Sequence, residues 1–497
     1  MESANDALAS DSLDVPRLLA KLGAHPRRMT TDSRRVLPGV AFAAYRGTHL
    51  DGRAYVADAI ARGAAAVLWD PDGFSWNEHW QVKNASVVGL KAHLGAIADF
   101  IHGSPSQRLW IVGVTGTNGK TSCAHWIAQA LNTCGRRAAV LGTLGNGLIG
   151  HLGPATHTTP DAAVLHELLA QFQAAGASAA VIEVSSHGLA QGRLNGGKFD
   201  VALFTNLSRD HLDYHGTMAA YGQAKAKLFT WPGLRTAVIN ADDAFGQSLI
   251  EAARFRHQQV VSYGFANADV AGSELVLSSG GVSFTATTQW GKGRLEAPVV
   301  GAFNASNLLG VLAVLLASDV PFGAALSALG RVEAPAGRMQ RFGGDGRPLV
   351  VVDYAHTPDA LEESLIALRP AVAAGRELIC VFGCGGDRDS GKRAEMGRVA
   401  GEFANRVVVT SDNPRGEDPA VIANAIVRAM RERGYRRWVI DLDRRQAIAQ
   451  TIAGAASGDV VLVAGKGHET YQERAGVRLP FSDAQEVAKA IDGWSGQ

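Results

Sequence analysis

Short apolar runs alternate with longer segments of helical spacing along most of this chain. The runs that are short enough for buried strands lie at 109–115, 138–141, 179–183, 201–205, 237–240, 349–353, 378–382, 407–410, 438–441 and 460–463. Segments with helical patterns, such as 122–134 and 419–433, separate many of them. The alternation predicts an α/β fold with mostly parallel sheets covered by helices.

Two turn-forming segments, 103–106 and 333–337, interrupt this pattern. They divide the chain into a predicted N-terminal α/β domain at 1–104, a central domain at 105–334 and a C-terminal doubly wound domain at 335–497. In the first domain we predict strands at 40–45 and 64–69 and helices at 56–62 and 90–100. The C-terminal domain has no G-x-G-x-x-G after its first strand, so a dinucleotide is not indicated there.

Composition and charge exclude several classes of protein. The chain has 497 residues, 46% hydrophobic residues and a net charge of +1, which is typical of a soluble protein with more than one domain and disfavours nucleic acid or an anionic membrane as a partner. The longest apolar run, 308–317, is too short to span a bilayer, and 1–14 lacks the features of a signal peptide. The four cysteines lack zinc-type spacing. We therefore expect reduced cysteines and a cytoplasmic location.

The segment 109–121 combines an apolar strand with the sequence G-T-N-G-K-T at the start of a predicted helix. This order is typical of a loop that binds nucleotide phosphates through backbone N–H groups and the helix N-terminus, with Lys120 as a point charge and Thr121 available to Mg²⁺. The longer phosphate-loop pattern requires glycine where this chain has Val114. The alternative is an ordinary glycine turn with a solvated lysine.

Polar residues follow the predicted central strands, where open α/β sheets bind ligands. Thr121 and Glu183 are the first candidates for Mg²⁺, and Asp210, His211 and Asp213 are the second. A helix cap or a buried ion pair would also explain Glu183, and His211 could be a core histidine.

The C-terminal domain has glycine-rich strand ends at 383–389, 412–415 and 465–469. Their arginine side chains can pair with carboxylates, and their acidic side chains can pair with an ammonium group. Together they favour a zwitterionic amino acid as the ligand of this domain. Three surface turns are the alternative. In the N-terminal domain, the polar clusters at 30–34 and 46–53 could bind a phosphate or a sugar, or could be solvated turns.

Six motifs in order carry a resemblance to a known family. They lie at 115–121, 183–189, 205–216, 301–307, 353–358 and 412–415. On these motifs the chain resembles the Mur ligase family over nearly its whole length, and within it the enzymes that add meso-diaminopimelate. The resemblance implies an N-terminal UDP-binding domain, a central ATPase domain and a C-terminal Rossmann-like domain for the incoming amino acid. The shorter phosphate loop with Val114 is normal in that family.

The resemblance also implies sites, residue by residue. For ATP they are Gly116, Thr117, Asn118, Gly119, Lys120, Thr121, Ser122, Asn304, Asn307, Arg338, Asp353 and His356, the last five contacting it across a domain junction. For the UDP-muramoyl-dipeptide they are Thr31, Ser33, Thr48, His49, Leu50, His157, Thr158, Thr159, Ser185, Gln191 and Arg193, although the family often has asparagine at position 157. For diaminopimelate they are Arg388, Asp412, Asn413, Pro414, Arg415, Gly465 and Glu469.

The implied catalytic set is Lys120, Glu183, His211 and Lys225, and the implied metal set is Thr121, Glu183, His211 and Lys225. Lys225 matches a lysine that is carbamylated in the family, whereas its own sequence context suggests only a solvated helix lysine. A carbamate is a carboxylate and can bind Mg²⁺, which an ammonium cannot. Mg²⁺, ATP and this carbamate are the expected cofactors.

The implied reaction is ATP-dependent addition of meso-diaminopimelate to the D-Glu γ-carboxylate of UDP-MurNAc-L-Ala-D-Glu through an acyl phosphate, by a monomer. Arg415 is the expected specificity residue, because its guanidinium can pair with the second carboxylate that lysine lacks. The alternatives are a lysine-adding Mur ligase, a folylpolyglutamate synthase-like ligase and a non-catalytic ATP-binding regulator.

Overall fold

The computed structural model describes residues 13–47 and 50–496, and it confirms the α/β class. The chain divides into two compact units. The first comprises Met1–Lys120, Leu131–Ile239 and Asp243–Val260, and the second comprises Thr121–Ala130, Asn240–Asp242 and Val261–Gln497. Thr48 and His49 lie outside the described residues. So do residues 1–12, which are most of the segment 1–14 that we predicted not to be a signal peptide.

The N-terminal part of the first unit is a small parallel sheet with helices. Its elements are α1 (Val15–Leu22), β1 (Arg28–Thr30), β2 (Val40–Ala44), α2 (Val56–Ala61), β3 (Ala66–Trp69), β4 (Asn84–Ser86) and α3 (Leu90–Ile101), with the sheet order β1-β2-β3-β4. Helix α1 has a side-chain cap, because Asp14 accepts from the backbone N–H of Arg17, and it ends at Gly23 in the left-handed conformation. The predicted strands and helices are confirmed, with small differences at their ends.

Residues 110–255 contain the longer parallel sheet, and they belong to the first unit except for Thr121–Ala130 and Asn240–Asp242. Its elements are β5 (Trp110–Thr115), α4 (Lys120–Thr133), β6 (Ala138–Gly142), β7 (Gly145–Leu148), β8 (His151–Gly153), α5 (Ala162–Ala174), β9 (Ala179–Glu183), α6 (Ser186–Ala190), β10 (Val201–Phe204), α7 (Leu212–His215), α8 (Met218–Ala226), β11 (Thr236–Asn240) and α9 (Ala244–Phe255). The strand order is β11-β10-β5-β9-β6-β7-β8, and the last two strands are antiparallel. We did not predict β7 and β8, because their glycines are typical of a turn.

Residues 259–329 form a strand that pairs in parallel with the next one, an antiparallel meander of three strands, and two helices. These elements are β12 (Gln259–Gly264), β13 (Val270–Ser278), β14 (Gly281–Thr288), β15 (Gly291–Ala297), α10 (Ala302–Ala317) and α11 (Phe322–Leu329). None of these strands was predicted from the sequence. Much of β13 and β15 is exposed, so their side chains lack the continuous apolar run that marked the buried strands.

The remaining residues of the second unit form the doubly wound sheet predicted for the C-terminal domain. Its elements are β16 (Gln340–Gly343), β17 (Leu349–Asp353), α12 (Pro358–Leu368), β18 (Leu378–Phe382), α13 (Gly391–Phe403), β19 (Arg406–Val409), α14 (Pro419–Glu432), β20 (Trp438–Ile440), α15 (Arg444–Ala453), β21 (Val460–Ala464), β22 (Tyr471–Arg474), β23 (Val477–Pro480) and α16 (Asp483–Asp492). The order is β16-β17-β21-β18-β19-β20, and β16 is antiparallel to β17, whereas β22 and β23 form a separate antiparallel pair. Apolar cores cover both faces.

Other expectations have mixed outcomes. The segment 103–106 is not a loose linker, because Pro105–Gln107 forms a 3-10 turn and the buried Ser106 hydroxyl donates to Asp99 at 2.9 Å. The four cysteines are free, as predicted, and Cys134 is the one that is only partly buried. No helix among the described residues is long and apolar enough to cross a membrane.

A fully buried ion pair joins α15 to α16. The guanidinium of Arg444 donates to both carboxylate oxygens of Asp483, each at 2.7 Å, and to the carbonyl of Ala464 at 2.9 Å. Both charged side chains are 0% exposed. The pair therefore fixes the end of β21, from which the 465–469 segment continues.

We predict that Arg444→Met lowers the free energy of unfolding by about 3–5 kcal/mol, because it leaves the Asp483 carboxylate buried without its partner. Arg444→Met with Asp483→Leu recovers most of the loss, since neither charge is then buried. Denaturant unfolding measures both. The control is Arg428→Met, whose pair with Glu432 is exposed on both sides and is worth about 0–1 kcal/mol. An equal loss in the single and double variants would contradict the prediction.

Candidate functional site

The connection from β5 to α4 has the geometry of an anion-binding loop. Gly116 has φ of 151°, and a Cβ on it would lie 1.9 Å from the Thr205 hydroxyl, so a side chain does not fit there. Gly119, with φ of 84°, directly precedes the first residue of the helix, Lys120. The loop therefore leads from a buried strand into a helix N-terminus, where backbone N–H groups favour a phosphate.

The end of β10 holds this loop in place. The Thr205 hydroxyl donates to the carbonyl of Asn118 at 2.6 Å. Asn206 accepts from the backbone N–H of Asn118 through its side chain at 2.9 Å and from that of Thr117 through its carbonyl at 2.8 Å. The 205–216 motif thus lies beside the phosphate loop, as the strand-end argument predicts, and its first residues act as a brace.

Two lysine side chains converge on the carbonyl oxygen of Gly116. Lys120 Nζ donates to it at 2.9 Å and to the carbonyl of Thr117 at 2.8 Å. Lys225 Nζ donates to the same Gly116 oxygen at 2.6 Å. The structure therefore brings two predicted catalytic lysines to one point of the phosphate loop.

Lys225 is 1% exposed, although it lies on the short helix α8. Its Nζ lies 4.4 Å from the centre of the Tyr221 ring. Burial and the charge of Lys120 lower the pKa of Lys225 well below its ordinary value, and Asp210 opposes this shift. The interpretation from local sequence, a solvated helix lysine, is therefore wrong.

Glu183 ends β9 and is 0% exposed. Its carboxylate accepts from the backbone N–H of Thr143 at 3.0 Å and from the Thr143 hydroxyl at 3.2 Å. A Cβ at Gly142 would lie 2.1 Å from Glu183 Oε1, so glycine makes room for the carboxylate. Thr143 is a partner of Glu183 that was not predicted from the sequence.

Five of the eleven residues predicted for the UDP-muramoyl-dipeptide cluster near Glu183: Thr158, Thr159, Ser185, Gln191 and Arg193. Thr159 donates through its hydroxyl to the Glu183 carbonyl at 2.7 Å and accepts from the Ser185 backbone N–H at 2.9 Å. Arg193 donates to the Thr159 carbonyl and to the Gln191 side chain, both at 2.9 Å. Thr158 lies 3.0 Å from the Thr143 hydroxyl, whereas His157 is exposed and contacts Thr156.

His211 lies in a group of aromatic side chains. Its ring centre is 4.8 Å from that of His187 and 6.0 Å from that of Tyr221. Burial and nearby positive charges, including Lys120, lower the pKa of His211, although Asp210 opposes them, so the neutral imidazole that can bind a metal is favoured. Among the described residues, no three His, Cys, Asp or Glu side chains form a metal-binding group.

The donor chemistry nevertheless fits Mg²⁺. This ion takes one or two protein carboxylates and completes its shell with phosphate and water oxygens, so a closed cage of side chains is not needed. Glu183 supplies a buried carboxylate, and the Thr121 hydroxyl follows Lys120 directly in the chain. The Lys225 amine cannot bind the ion, so Lys225 could be an anionic ligand only after modification.

The residues predicted to bind the UDP group lie in the N-terminal part of the first unit. Ser33 is buried in a 3-10 turn, Thr31 is half-buried and Leu50 is 68% exposed. A cavity of about 400 Å³ includes Arg46, Arg53 and Lys91 in its wall, together with two aspartates. Its cations suit a diphosphate.

The second unit holds the other residues predicted for the nucleotide. Asn304 and Asn307 are buried and hydrogen-bonded to each other at 3.2 Å. Both oxygens of Asp353 accept backbone N–H groups, so this carboxylate braces its own loop. Burial raises the pKa of Asp353. The Arg338 guanidinium lies 5.0 Å above the Tyr354 ring, which also contacts His356.

The glycine-rich strand ends of the C-terminal sheet meet at one edge. A Cβ at Gly383 would lie 2.1 Å from the Thr410 carbonyl, and one at Gly465 would lie 2.7 Å from Asp412. Gly386 donates its N–H to the carbonyl of Asn413 at 2.9 Å. Because the three segments approach each other so closely, they form one site. The alternative interpretation, three unrelated surface turns, is therefore disfavoured.

A buried hydrogen-bond network forms the floor of this site. Asn413 Nδ2 and Lys466 Nζ both donate to Glu469 Oε2, each at 2.8 Å. Lys466 also donates to Asn413 Oδ1 at 3.1 Å and is 0% exposed. Sequence reasoning selected Asn413 and Glu469 but missed Lys466, which the neighbouring glycines made part of an apparent turn.

Arg415, two residues after Asn413, has the left-handed backbone conformation, with φ of 52°. Its Nη1 donates to the carbonyl of Gly386 at 2.7 Å, and its Nε lies 4.0 Å from Glu473. Pro414 is buried beneath it, whereas Arg388 is exposed. The guanidinium is therefore held at the site with N–H groups left for a ligand.

Comparisons with known proteins agree with this arrangement. Three family profiles match: "Mur ligase family, catalytic domain" over residues 25–102, "Mur ligase middle domain" over 114–315, and "Mur ligase, glutamate ligase domain" over 337–467. A protein of Chromobacterium violaceum, UDP-N-acetylmuramoyl-L-alanyl-D-glutamate–2,6-diaminopimelate ligase, is 50% identical over 96% of this chain and 97% of its own length.

A protein of the same description from Nitrosomonas europaea is 44% identical over 100% of this chain and 99% of its own length. A solved structure of a UDP-N-acetylmuramoyl-L-alanyl-D-glutamate–2,6-diaminopimelate ligase is 39% identical, with a TM-score of 0.72, and covers 94% of this chain and 95% of that one. Sequence identity at this level over nearly the full length is typical of homologous proteins that have the same fold. This chain belongs to the Mur ligase family.

Proposed function

We propose that this chain joins meso-diaminopimelate to the D-Glu γ-carboxylate of UDP-MurNAc-L-Ala-D-Glu at the expense of ATP. The observation that carries the proposal is the Arg415 guanidinium at the edge of the Asn413–Glu469 network. The ammonium group of the acceptor would pair with Glu469, and its second carboxylate would pair with Arg415. The names of the relatives support the same substrates.

The reaction has two steps on this proposal. An oxygen of the D-Glu carboxylate attacks the γ-phosphorus of ATP, and the bond to ADP breaks to give an acyl phosphate. The neutral amine of the acceptor then attacks the acyl carbon, loses a proton and expels phosphate. Lys120 and the N–H groups of the phosphate loop offset the charge on the transferred phosphoryl group.

Mg²⁺ would supply further charge neutralisation at the phosphates, and Glu183, His211, Thr121 and a modified Lys225 would hold it. Glu183 is already oriented by Thr143. Thr158, Thr159, Ser185, Gln191 and Arg193 would position the dipeptide, since they cluster beside that carboxylate. ATP and a UDP-linked substrate favour the cytoplasm as the location.

We propose that Lys225 carries a carbamate in the active enzyme. The neutral amine attacks CO₂, an N–C bond forms, and one proton leaves the nitrogen. Burial and Lys120 favour the neutral amine that this step needs, because they lower the pKa of Lys225. The product is an anion beside Lys120, which would stabilise it.

An acceptor comparison tests the function. In the presence of UDP-MurNAc-L-Ala-D-Glu, we expect the enzyme to form ADP when meso-diaminopimelate is the acceptor. We expect ADP formation to be far slower when L-lysine is the acceptor. Faster turnover with lysine would favour a lysine-adding enzyme. Turnover with a folate and glutamate would favour the folylpolyglutamate synthase alternative, and ATP binding without any turnover would favour a regulator.

We predict that Arg415→Ala lowers kcat/KM for meso-diaminopimelate about 100-fold, which corresponds to ~3 kcal/mol for a lost bidentate ion pair. The KM for ATP is expected to change little. Steady-state kinetics with each substrate varied in turn measures both. Arg474→Ala is the matched control, because Arg474 is an exposed arginine that forms a backbone bridge with Arg415. Equal losses for ATP and for the amino acid would refute the specificity role.

We predict that protein equilibrated with ¹³C-bicarbonate gives a carbamate carbon signal in NMR, and that Lys225→Met abolishes both the signal and most of the ligase activity. The signal weakens as the pH falls, because protonation removes the neutral amine. Lys227→Met, a change to an exposed lysine of the same segment, is the control and retains the signal. A wild-type enzyme that is active without the signal would exclude the carbamate.

A further inference from the structure

Lys466 is a buried cation in the acceptor site that cannot itself touch a ligand. Its side chain is 0% exposed, whereas that of its partner Glu469, three residues later, is 22% exposed. The amine also lies 5.6 Å from the centre of the Tyr471 ring. A group that approaches from solvent therefore meets Glu469 and not Lys466.

The hydrogen bonds around Glu469 are distributed unequally between its two oxygens. Oε2 accepts from Lys466 Nζ and from Asn413 Nδ2, each at 2.8 Å. Within residues 13–47 and 50–496, no donor reaches Oε1. One oxygen is thus fixed to the protein, and the other is left to accept from a ligand.

The orientation of Asn413 depends on the same lysine. Its Oδ1 accepts from Lys466 Nζ at 3.1 Å and from the backbone N–H of Glu473 at 2.9 Å. These two donors assign the amide oxygen, so the NH₂ group must face Glu469. Lys466 therefore fixes both the carboxylate and the amide that hold the floor of the site.

We propose that Lys466 is a positioning residue for the incoming amino acid: its buried ammonium anchors Glu469 by Oε2 and keeps Oε1 open to the ammonium group of the acceptor. The inference rests on the proposed ligase function, because it assigns the role to that acceptor site. Burial raises the pKa of Glu469, but Lys466, Asn413 and His468 outweigh it, so the pKa lies below its ordinary value. The carboxylate that pairs with an ammonium is thereby maintained.

The test is a kinetic comparison of Lys466→Met and Lys466→Gln with the wild type, with each substrate varied in turn. We expect the KM for the amino acid to rise at least about 10-fold, while the KM values for ATP and for the UDP substrate stay within about twofold. Lys489→Met is the matched control. Lys489 also pairs with a glutamate at 3.1 Å and i,i+3 spacing, but it is 64% exposed.

A double variant keeps the proposal testable if the single changes unfold the protein. In Glu469→Gln, the residue through which Lys466 acts has lost its charge, so adding Lys466→Met should raise the acceptor KM little further. Thermal unfolding midpoints identify variants that fail to fold. A full additional rise in the double variant, or equal rises in KM for all substrates, would overturn the positioning role.

The wild-type measurement separates the two proposals. It uses meso-diaminopimelate, L-lysine and L-glutamate as acceptors. A wild type that uses an acceptor other than meso-diaminopimelate refutes the proposed function. The positioning role of Lys466 is then tested by the KM for the acceptor that is used, since each of the three has an α-ammonium group. A wild type active with meso-diaminopimelate whose Lys466 variants match Lys489→Met refutes only the inference. No turnover with any acceptor refutes both.

Discussion

Two lysine amines donate to one carbonyl oxygen, that of Gly116, and the chemistry of the phosphate loop depends on how their repulsion is relieved. Lys120 belongs to the loop itself, whereas Lys225 reaches the same oxygen from α8. Two ammonium groups at one buried acceptor repel each other strongly, because little water screens them. Burial and the charge of Lys120 lower the pKa of Lys225, which favours the loss of one of the two charges. On the proposed carbamylation, the neutral amine would become an anion, and repulsion would become attraction between the same two side chains.

The acceptor site meets the opposite requirement, since there the protein keeps buried charges ionised. Lys466 and Glu469 neutralise each other in contact, and Asn413 completes the hydrogen bonds of both. Behind them, Arg444 and Asp483 form a second buried pair that also holds the end of β21. Buried pairs of this kind contribute little net stability, but removing one member leaves an uncompensated charge. Their value here is geometric, because they hold groups at fixed positions.

The parts of the structure that could be predicted from sequence are those in which local pattern and tertiary burial coincide. Strands β9, β17 and β18 were predicted at their observed ends because every position is apolar or lies at the sheet edge. The resemblance to the Mur ligase family identified Lys225. Its local sequence could not, because a lysine on a short helix is solvated unless other elements cover it. Lys466 was missed for the same reason, because its contact with Asn413 joins residues that are 53 positions apart in the chain.

Arg415 shows how the fold maintains a conformation that its sequence alone disfavours. A left-handed backbone at a non-glycine residue costs of order 1 kcal/mol, and a glycine there would remove the strain. Two backbone hydrogen bonds hold Arg415 in this strained conformation. One runs from the Arg415 N–H to the Glu473 carbonyl at 3.0 Å, and the other runs from the Ala475 N–H to the Arg415 carbonyl at 2.6 Å. A glycine would adopt the turn but supply no guanidinium. Since the hairpin of β22 and β23 provides these bonds, its role is to hold the charge at the edge of the acceptor site. Specificity would therefore depend on an element that lies outside the parallel sheet, whereas the phosphate loop depends on the sheet itself.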